Sequence, residues 1–286
     1  MENLRGIMLM IIAMAAFTLA DTFIKQVSDA IPVGEILMFM GIGGMLIFMI
    51  WAKLVGQKLF SGDFFSWLNF FRSFGEMVGT FGFVTALALS PISSASAILQ
   101  ATPLVITLGA ALFLKEPVGW RRWTASLIGF FGVLLIVQPC LESFQPASLF
   151  AVLGVIGLSI RDLATRVAPK SMTSIRLGVY GFASVIPTGL ILTVVNNNFV
   201  VPSFSQGTTL GMSVLMATAG YYLLTLAMRM GDVSIIAPFR YVRIVFAIGI
   251  GIAVFGERID MWMIIGSTIV IISGLYTFAR EGKRRS

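Results

Sequence analysis

The sequence predicts an all-α integral membrane protein of ten transmembrane helices, arranged as two inverted five-helix repeats. Three observations carry this: helix-length apolar blocks, a one-sided distribution of basic residues, and a motif that recurs half a chain apart. Of the 286 residues, 57% are hydrophobic and 12% charged, and mean hydropathy is +0.95. A soluble domain carries about 25% charged residues. Crossing the hydrocarbon core takes about 20 apolar residues as a helix, or about 9–11 as a tilted strand. The blocks here are helix-length and lack the period-two alternation of barrel strands. Spans are expected near 4–24, 33–54, 67–89, 93–114, 121–138, 147–166, 173–195, 207–228, 233–255 and 261–279. The block after Arg5 has the position of a signal peptide. Nine blocks at similar spacing follow it, so it is expected to be a retained first helix.

Basic residues orient the spans. With the N-terminus inside, fourteen of the 20 Lys and Arg fall in inside connections or tails, and two, Lys25 and Arg258, fall outside. Arg72, Arg161, Arg240 and Arg243 lie within spans. Cytoplasmic connections carry such an excess, so both termini are expected in the cytoplasm and the span count must be even. The +7 net charge is accounted for the same way, and the basic tail Arg280–Arg285 by orientation and lipid head groups, with no nucleic acid needed.

The repeat appears at the ends of two spans. LFLKEPVGWRRW is followed by SLIGFFGVLLI, and AVFGERIDMW by STIVIISGLYTF. Each reads as an apolar helix, a Glu turn, a Trp and a Gly-containing apolar helix. Glu116 and Glu257 are 141 residues apart. Five spans per unit put the second copy upside down, so the expected units are 1–140 and 141–286. Inverted repeats are a recurrent plan of secondary transporters, with the site near the midplane between the halves.

The stretch SPISSASAILQATPLVITLGAALFLKEPVGWRRWTASLIGFFGVLLIVQP, with APFRYVRIVFAIGIGIAVFGERID in the second half, resembles the EamA-type members of the drug/metabolite transporter superfamily. That resemblance implies ten helices, a central cavity lined by spans 1, 3, 4, 6, 8 and 9, and alternating access. It covers members that export amino acids and others that take up riboflavin or S-adenosylmethionine. One departure stands out. Relatives often carry an arginine shortly after the acidic residue that matches Glu35, whereas Leu37–Gly41 here holds no charge.

Charged residues within a membrane usually face a cavity or a partner. Arg72 and Glu76 stand at i,i+4 in span 3, either a mutually neutralised pair or a cavity pair that opens for substrate. Glu76 is also a candidate to accept a coupling proton. Arg161 and Asp162 are neighbours, about 100° apart on the helix, so Arg166 at i,i+4 is the expected partner of Asp162. Asp21 and Lys25 are expected to pair at the end of span 1, with a gate role as the alternative. Asp162 and Asp21 are the other candidates for proton coupling. Arg240, Tyr241 and Arg243, in FRYVR of span 9, are the foremost substrate-binding candidates, since guanidinium forks suit carboxylates and phosphates. Their alternative is a charge-paired packing motif. Pro238 and Pro103 each remove a backbone hydrogen bond there and in span 4. Gln100, Tyr221 and Tyr222 complete the substrate-binding set. Gly75, Gly79 and Gly82 permit close helix approach.

Histidine is absent and Cys140 is the single cysteine, so a Ser-His-Asp triad, His-ligated metal and an intrachain disulfide are excluded. No Walker A, HExxH or CxxC motif occurs. No cofactor is implied. The expected function is secondary transport of a small polar metabolite across a bacterial cytoplasmic membrane: an amino acid, an organic anion or a cofactor such as riboflavin. The excess of intramembrane arginine favours an anionic group, and the tyrosines a planar ring. A membrane-embedded enzyme and an accessory membrane subunit are the alternatives. The expected partners are the substrate and membrane lipid, and the chain is a monomer or homodimer.

Overall fold

The structure is a computed structural model that describes residues 2–57, 59, 66–115, 119–138, 145–169, 172–197, 199–228, 230 and 236–285. Among them the chain is helical, with no strand. The helices are α1 (Glu2–Val27), α2 (Val33–Leu54), α3 (Trp67–Leu89), α4 (Ile92–Leu99), α5 (Thr102–Phe113), α6 (Trp120–Val137), α7 (Ser148–Arg166), α8 (Ser174–Asn196), α9 (Phe204–Ala227), a 3₁₀ turn (Ala237–Tyr241), α10 (Val242–Phe255) and α11 (Met261–Arg285). Side-chain caps set several starts. Ser66 accepts from Asn69 N, Thr173 from Arg176 N, and Ser203 with Gln206 forms a capping box.

Among the described residues, seven stretches are long and apolar enough to cross a membrane: α1, α2, the joined α4–α5 stretch Ile92–Phe113, α7, α8, α9 and Pro238–Phe255. Trp123–Val137 and Met261–Tyr276 are shorter apolar helices. α3 has 23 residues and buries Arg72 and Glu76. The chain is thus a multi-pass membrane protein.

Two expected spans depart from a continuous helix. Span 4 breaks at Gln100–Ala101, between α4 and α5. Pro103 has no N–H to give to the Leu99 carbonyl four residues back. The Thr102 hydroxyl takes that carbonyl instead, at 2.6 Å. In span 9 the Pro238 segment is a 3₁₀ turn before α10 begins. Residues 233–235 and Glu116, the first half of the Glu repeat, lie outside the described residues, as does Cys140.

The closest helix pairs are α3 with α7, α2 with α8, α1 with α9, and α6 with α11. Glycine permits that closeness. A Cβ at Gly75 would stand 2.6 Å from Arg161 N, and one at Gly82 2.6 Å from Gly154 N. Gly34 meets Gly189 between α2 and α8 in the same way, and Gly132 meets Gly266 between α6 and α11.

The apolar core is uneven along the bundle. One large cluster joins Ile24, Leu37, Phe83, Leu87, Leu99, Val185 and Leu210 around the C-terminal ends of α1 and α3. Toward the other end the core divides into two patches. One, around Phe48 and Tyr180, joins α2 and α8. The other, around Met10 and Ala227, joins α1 and α9.

Candidate functional site

Most of the buried charges form one network and one separate pair; Glu35 of α2 stands apart and accepts from Val200 N at 2.7 Å. Arg72, on α3, is fully buried. Its Nε donates to Thr165 Oγ1 at 3.2 Å, and Nη2 to the Leu177 carbonyl at 3.0 Å and Tyr221 Oη at 2.9 Å. Its expected partner Glu76 is only a loose one, 3.8 Å away. Glu76 instead accepts from Arg161 Nη1 at 3.0 Å. Gly181 on α8 leaves the room: a Cβ there would stand 3.1 Å from Glu76 Oε2 and 3.4 Å from Arg72 Nη2.

Arg161 also bonds its chain neighbour. Its Nε donates to Asp162 Oδ1 at 2.8 Å, and Nη2 stands 2.8 Å from the same oxygen. This corrects the expectation that a 100° offset keeps the two apart. The offset describes Cβ directions, and a long guanidinium side chain bends across it. Thr165, one turn on, donates to the Arg161 carbonyl at 2.8 Å while accepting from Arg72. It ties the two arginines together.

Arg240 and Arg243 stand three residues apart but turn to different partners. Arg240 Nη2 is 3.8 Å from Asp162 Oδ2, and no other partner contacts its guanidinium among the described residues. Its carbonyl accepts from Gln100 Nε2 at 2.9 Å, so the breaks in spans 4 and 9 are joined. Arg243 Nη2 donates to Asp21 Oδ2 at 2.6 Å. Its guanidinium lies between the rings of Phe17 and Phe83, 5.2 and 5.1 Å from their centroids. The expected Asp21–Lys25 pair does not form. Asp21 faces the interior toward α10, and Lys25 Nζ donates to the Leu87 and Ser90 carbonyls. An i,i+4 spacing permits a pair, but a buried arginine on a facing helix offers a shorter, better desolvated one.

Some of these groups line a cavity of about 160 Å³ between the helices; Arg72 and Asp162 stand behind its wall. Its polar wall is Asp21, Glu76, Gln100, Arg161, Arg240 and Arg243, and its apolar wall includes Phe17, Phe83, Phe182 and Tyr221. α1, α3, α7 and α9 contribute, with the α4–α5 break and the α10 segment. Met40 of α2 and Phe182 of α8 add walls beyond the six spans expected. Four arginines face Asp21, Glu76 and Asp162, which leaves one positive charge in excess. Glu76 Oε2 and Arg72 Nη1 are buried without a hydrogen-bond partner.

Two tyrosines of the expected set point elsewhere. Tyr222 packs its ring 4.2 Å from that of Trp51. Tyr241 is turned onto Gly274 of α11, where the missing Cβ leaves space for its ring. Thr165, Phe17 and Phe83 were not singled out from the sequence. Thr165 sits at i+4 from Arg161 and Phe17 at i−4 from Asp21, so helical spacing from a buried charge was the available signal.

Buried charges that converge on an internal cavity between membrane helices mark a functional path for a polar solute or ion. Residues 4–138 match the model of the EamA-like transporter family. An S-adenosylmethionine uptake transporter of Rickettsia bellii is 28% identical over 74% of this chain and 71% of its own. A riboflavin transporter of Vibrio cholerae is 25% identical over 98% of this chain and 95% of its own. A pseudopaline exporter of Pseudomonas aeruginosa is 26% identical over 94% of each chain. One solved crystal structure superposes with a TM-score of 0.65 at 16% identity, covering 96% of this chain and 98% of that one, a likeness of fold.

Proposed function

We propose that the protein is a secondary transporter that carries a small polar metabolite with an anionic group across the cytoplasmic membrane by alternating access. The observation that carries this is Arg240. It is a cavity-lining guanidinium whose one carboxylate partner stands at 3.8 Å, beside an excess of positive charge. A substrate carboxylate or phosphate within 3 Å would be a better ligand for its fork than Asp162 is. Glu76, with a free buried oxygen, completes the polar end, and Phe17, Phe83 and Tyr221 provide faces for a ring. Asp21, Glu76 and Asp162 are the carboxylates available for a coupling proton. The relatives' names support a metabolite cargo, S-adenosylmethionine and riboflavin among them.

The architecture we propose is ten spans in two inverted repeats, 1–140 and 141–286, with both termini cytoplasmic. The helix pairing supports it. If span n maps onto span n+5 through a twofold axis in the membrane plane, the contact of span 3 with span 6 requires one of span 8 with span 1. These are the α3/α7 and α9/α1 pairs. Spans 2 and 7 (α2/α8) and spans 5 and 10 (α6/α11) are their own mates. The charge count of fourteen inside against two outside supports the orientation.

The test is thermal shift of the detergent-purified protein against amino acids, flavins and nucleoside cofactors. A ligand is expected to raise the Tm of the unmodified protein and not of Arg240→Ala. If every stabilising ligand acts equally on both, Arg240 is not the substrate group.

A further inference from the structure

From the contacts at the C-terminal end of α1 we infer that Lys25 and Glu257 form a clamp that closes the external mouth of the cavity. The inference rests on the transport reading and its orientation.

The clamp holds the α3–α4 turn from both sides. Lys25 Nζ donates to the Leu87 carbonyl at 3.1 Å and the Ser90 carbonyl at 2.7 Å. These are carbonyls at the end of α3, where a helix leaves acceptors free and favours a cation. Glu257 accepts from Ile92 N at 2.6 Å, Ser93 N at 3.2 Å and the Ser93 hydroxyl. These donors open α4, where free amides favour an anion. Lys25 ends α1 and Glu257 follows α10, so four helix ends meet at Ser90–Pro91. Lys25 also lies over Phe255, 5.8 Å from the ring centroid.

Glu257 is placed there by two glycines. Gly256, at φ +62°, turns the chain back so that Glu257 N donates to the Gly251 carbonyl at 2.9 Å. A Cβ on Gly251 would stand 2.5 Å from Glu257 Oε2, so the carboxylate occupies space that only glycine leaves. Beneath the clamp, Ile24, Val84, Leu87 and Leu99 fill the mouth with buried apolar side chains. The opposite end of the cavity is more open. Arg240 and Asp162 side chains are 23% and 22% exposed, against 12% and 6% for Arg243 and Asp21 nearer the clamp. Releasing the α3–α4 turn would free the ends of α1, α3 and α10 to part over Asp21 and Arg243.

The test places one reporter, Val84→Cys, in a Cys140→Ser background. A membrane-impermeant maleimide is applied from either face of sealed vesicles of both orientations. With the clamp intact, labelling from the Arg240–Asp162 face is expected to be at least tenfold faster than from the Lys25 face. Adding Lys25→Ala and Glu257→Gln should raise the Lys25-face rate at least tenfold, with the size-exclusion profile unchanged. An unchanged rate in folded protein overturns the clamp, as does fast Lys25-face labelling before the clamp is removed. If the clamp variant does not fold, Gly251→Ala, which displaces the Glu257 carboxylate while keeping both charges, replaces it under the same criteria. A reporter unreachable from both faces, with or without the clamp, instead overturns the cavity as a path, and with it the transport reading.

Discussion

Replacing Arg161 with methionine tests whether the charged network holds the cavity together. Among the described residues Arg161 is the one group bonded to both Glu76 and Asp162, at 3.0 and 2.8 Å. Its removal leaves each carboxylate only a loose arginine at 3.8 Å, Arg72 for Glu76 and Arg240 for Asp162. Breaking a buried ion pair costs about 3–5 kcal/mol, because the remaining charge stays desolvated. The side chains of Glu76 and Asp162 are 10% and 22% exposed, so water relieves part of this and the lower figure, about 3 kcal/mol, applies. At about 2–4 °C per kcal/mol for a chain near this size, the Tm of the purified protein should fall by about 6–12 °C. Adding Glu76→Gln removes one of these two charges and should return about half of the loss, a coupling of at least ~1 kcal/mol in a double-mutant cycle. The assay is thermal unfolding in detergent followed by monodispersity. A fall below about 2 °C with no rescue by Glu76→Gln would refute the network.

Three further outcomes follow from particular contacts. Arg240→Ala should weaken substrate binding by roughly tenfold or more, about 1.4 kcal/mol, with Tm nearly unchanged, since its 3.8 Å pair stabilises little; equilibrium binding with unfolding in parallel checks both. Tyr221→Phe removes an acceptor of a buried guanidinium and should cost about 1.5–3 kcal/mol, whereas Tyr222→Phe, whose ring packs on Trp51, should stay within about 0.5 kcal/mol by thermal unfolding. Gly157→Val drives a side chain into the Gly79 backbone, so α3 and α7 must separate; a loss of about 3 kcal/mol or failure to accumulate in the membrane is expected, read by membrane yield and Tm.

Helix identity was legible because the apolar blocks are long and the breaks polar, and the structure's boundaries fall near those expected for most spans. The glycines of α3 were legible as contact residues because repeated small residues on one helix have few other uses in a membrane. The charged residues were legible as a set, since intramembrane charge is costly wherever it occurs. Their partners were not. Sequence spacing knows only one helix at a time, so it paired Asp21 with Lys25 and set Arg161 apart from Asp162. The partners that matter come from helices more than eighty residues away: Glu76 to Arg161 and Asp21 to Arg243. The direction of an aromatic ring was equally hidden. Tyr221 and Tyr222 are adjacent, and only packing decides that one meets Arg72 and the other Trp51. The Glu repeat pointed to Glu257 as a turn residue. Its grip on the start of α4 depends on Gly251 and on a helix that begins 165 residues earlier in the chain.

In the proposed transport cycle the cavity carries a small metabolite and Arg240 binds it. Solute counterflow in proteoliposomes tests this most directly, with labelled S-adenosylmethionine, riboflavin and amino acids offered separately to vesicles preloaded with the unlabelled compound. Saturable accumulation of at least one of them by the unmodified protein is expected, lost in Arg240→Ala while Arg240→Lys keeps a part. Accumulation of none, or accumulation equal in Arg240→Ala and the unmodified protein, would contradict it.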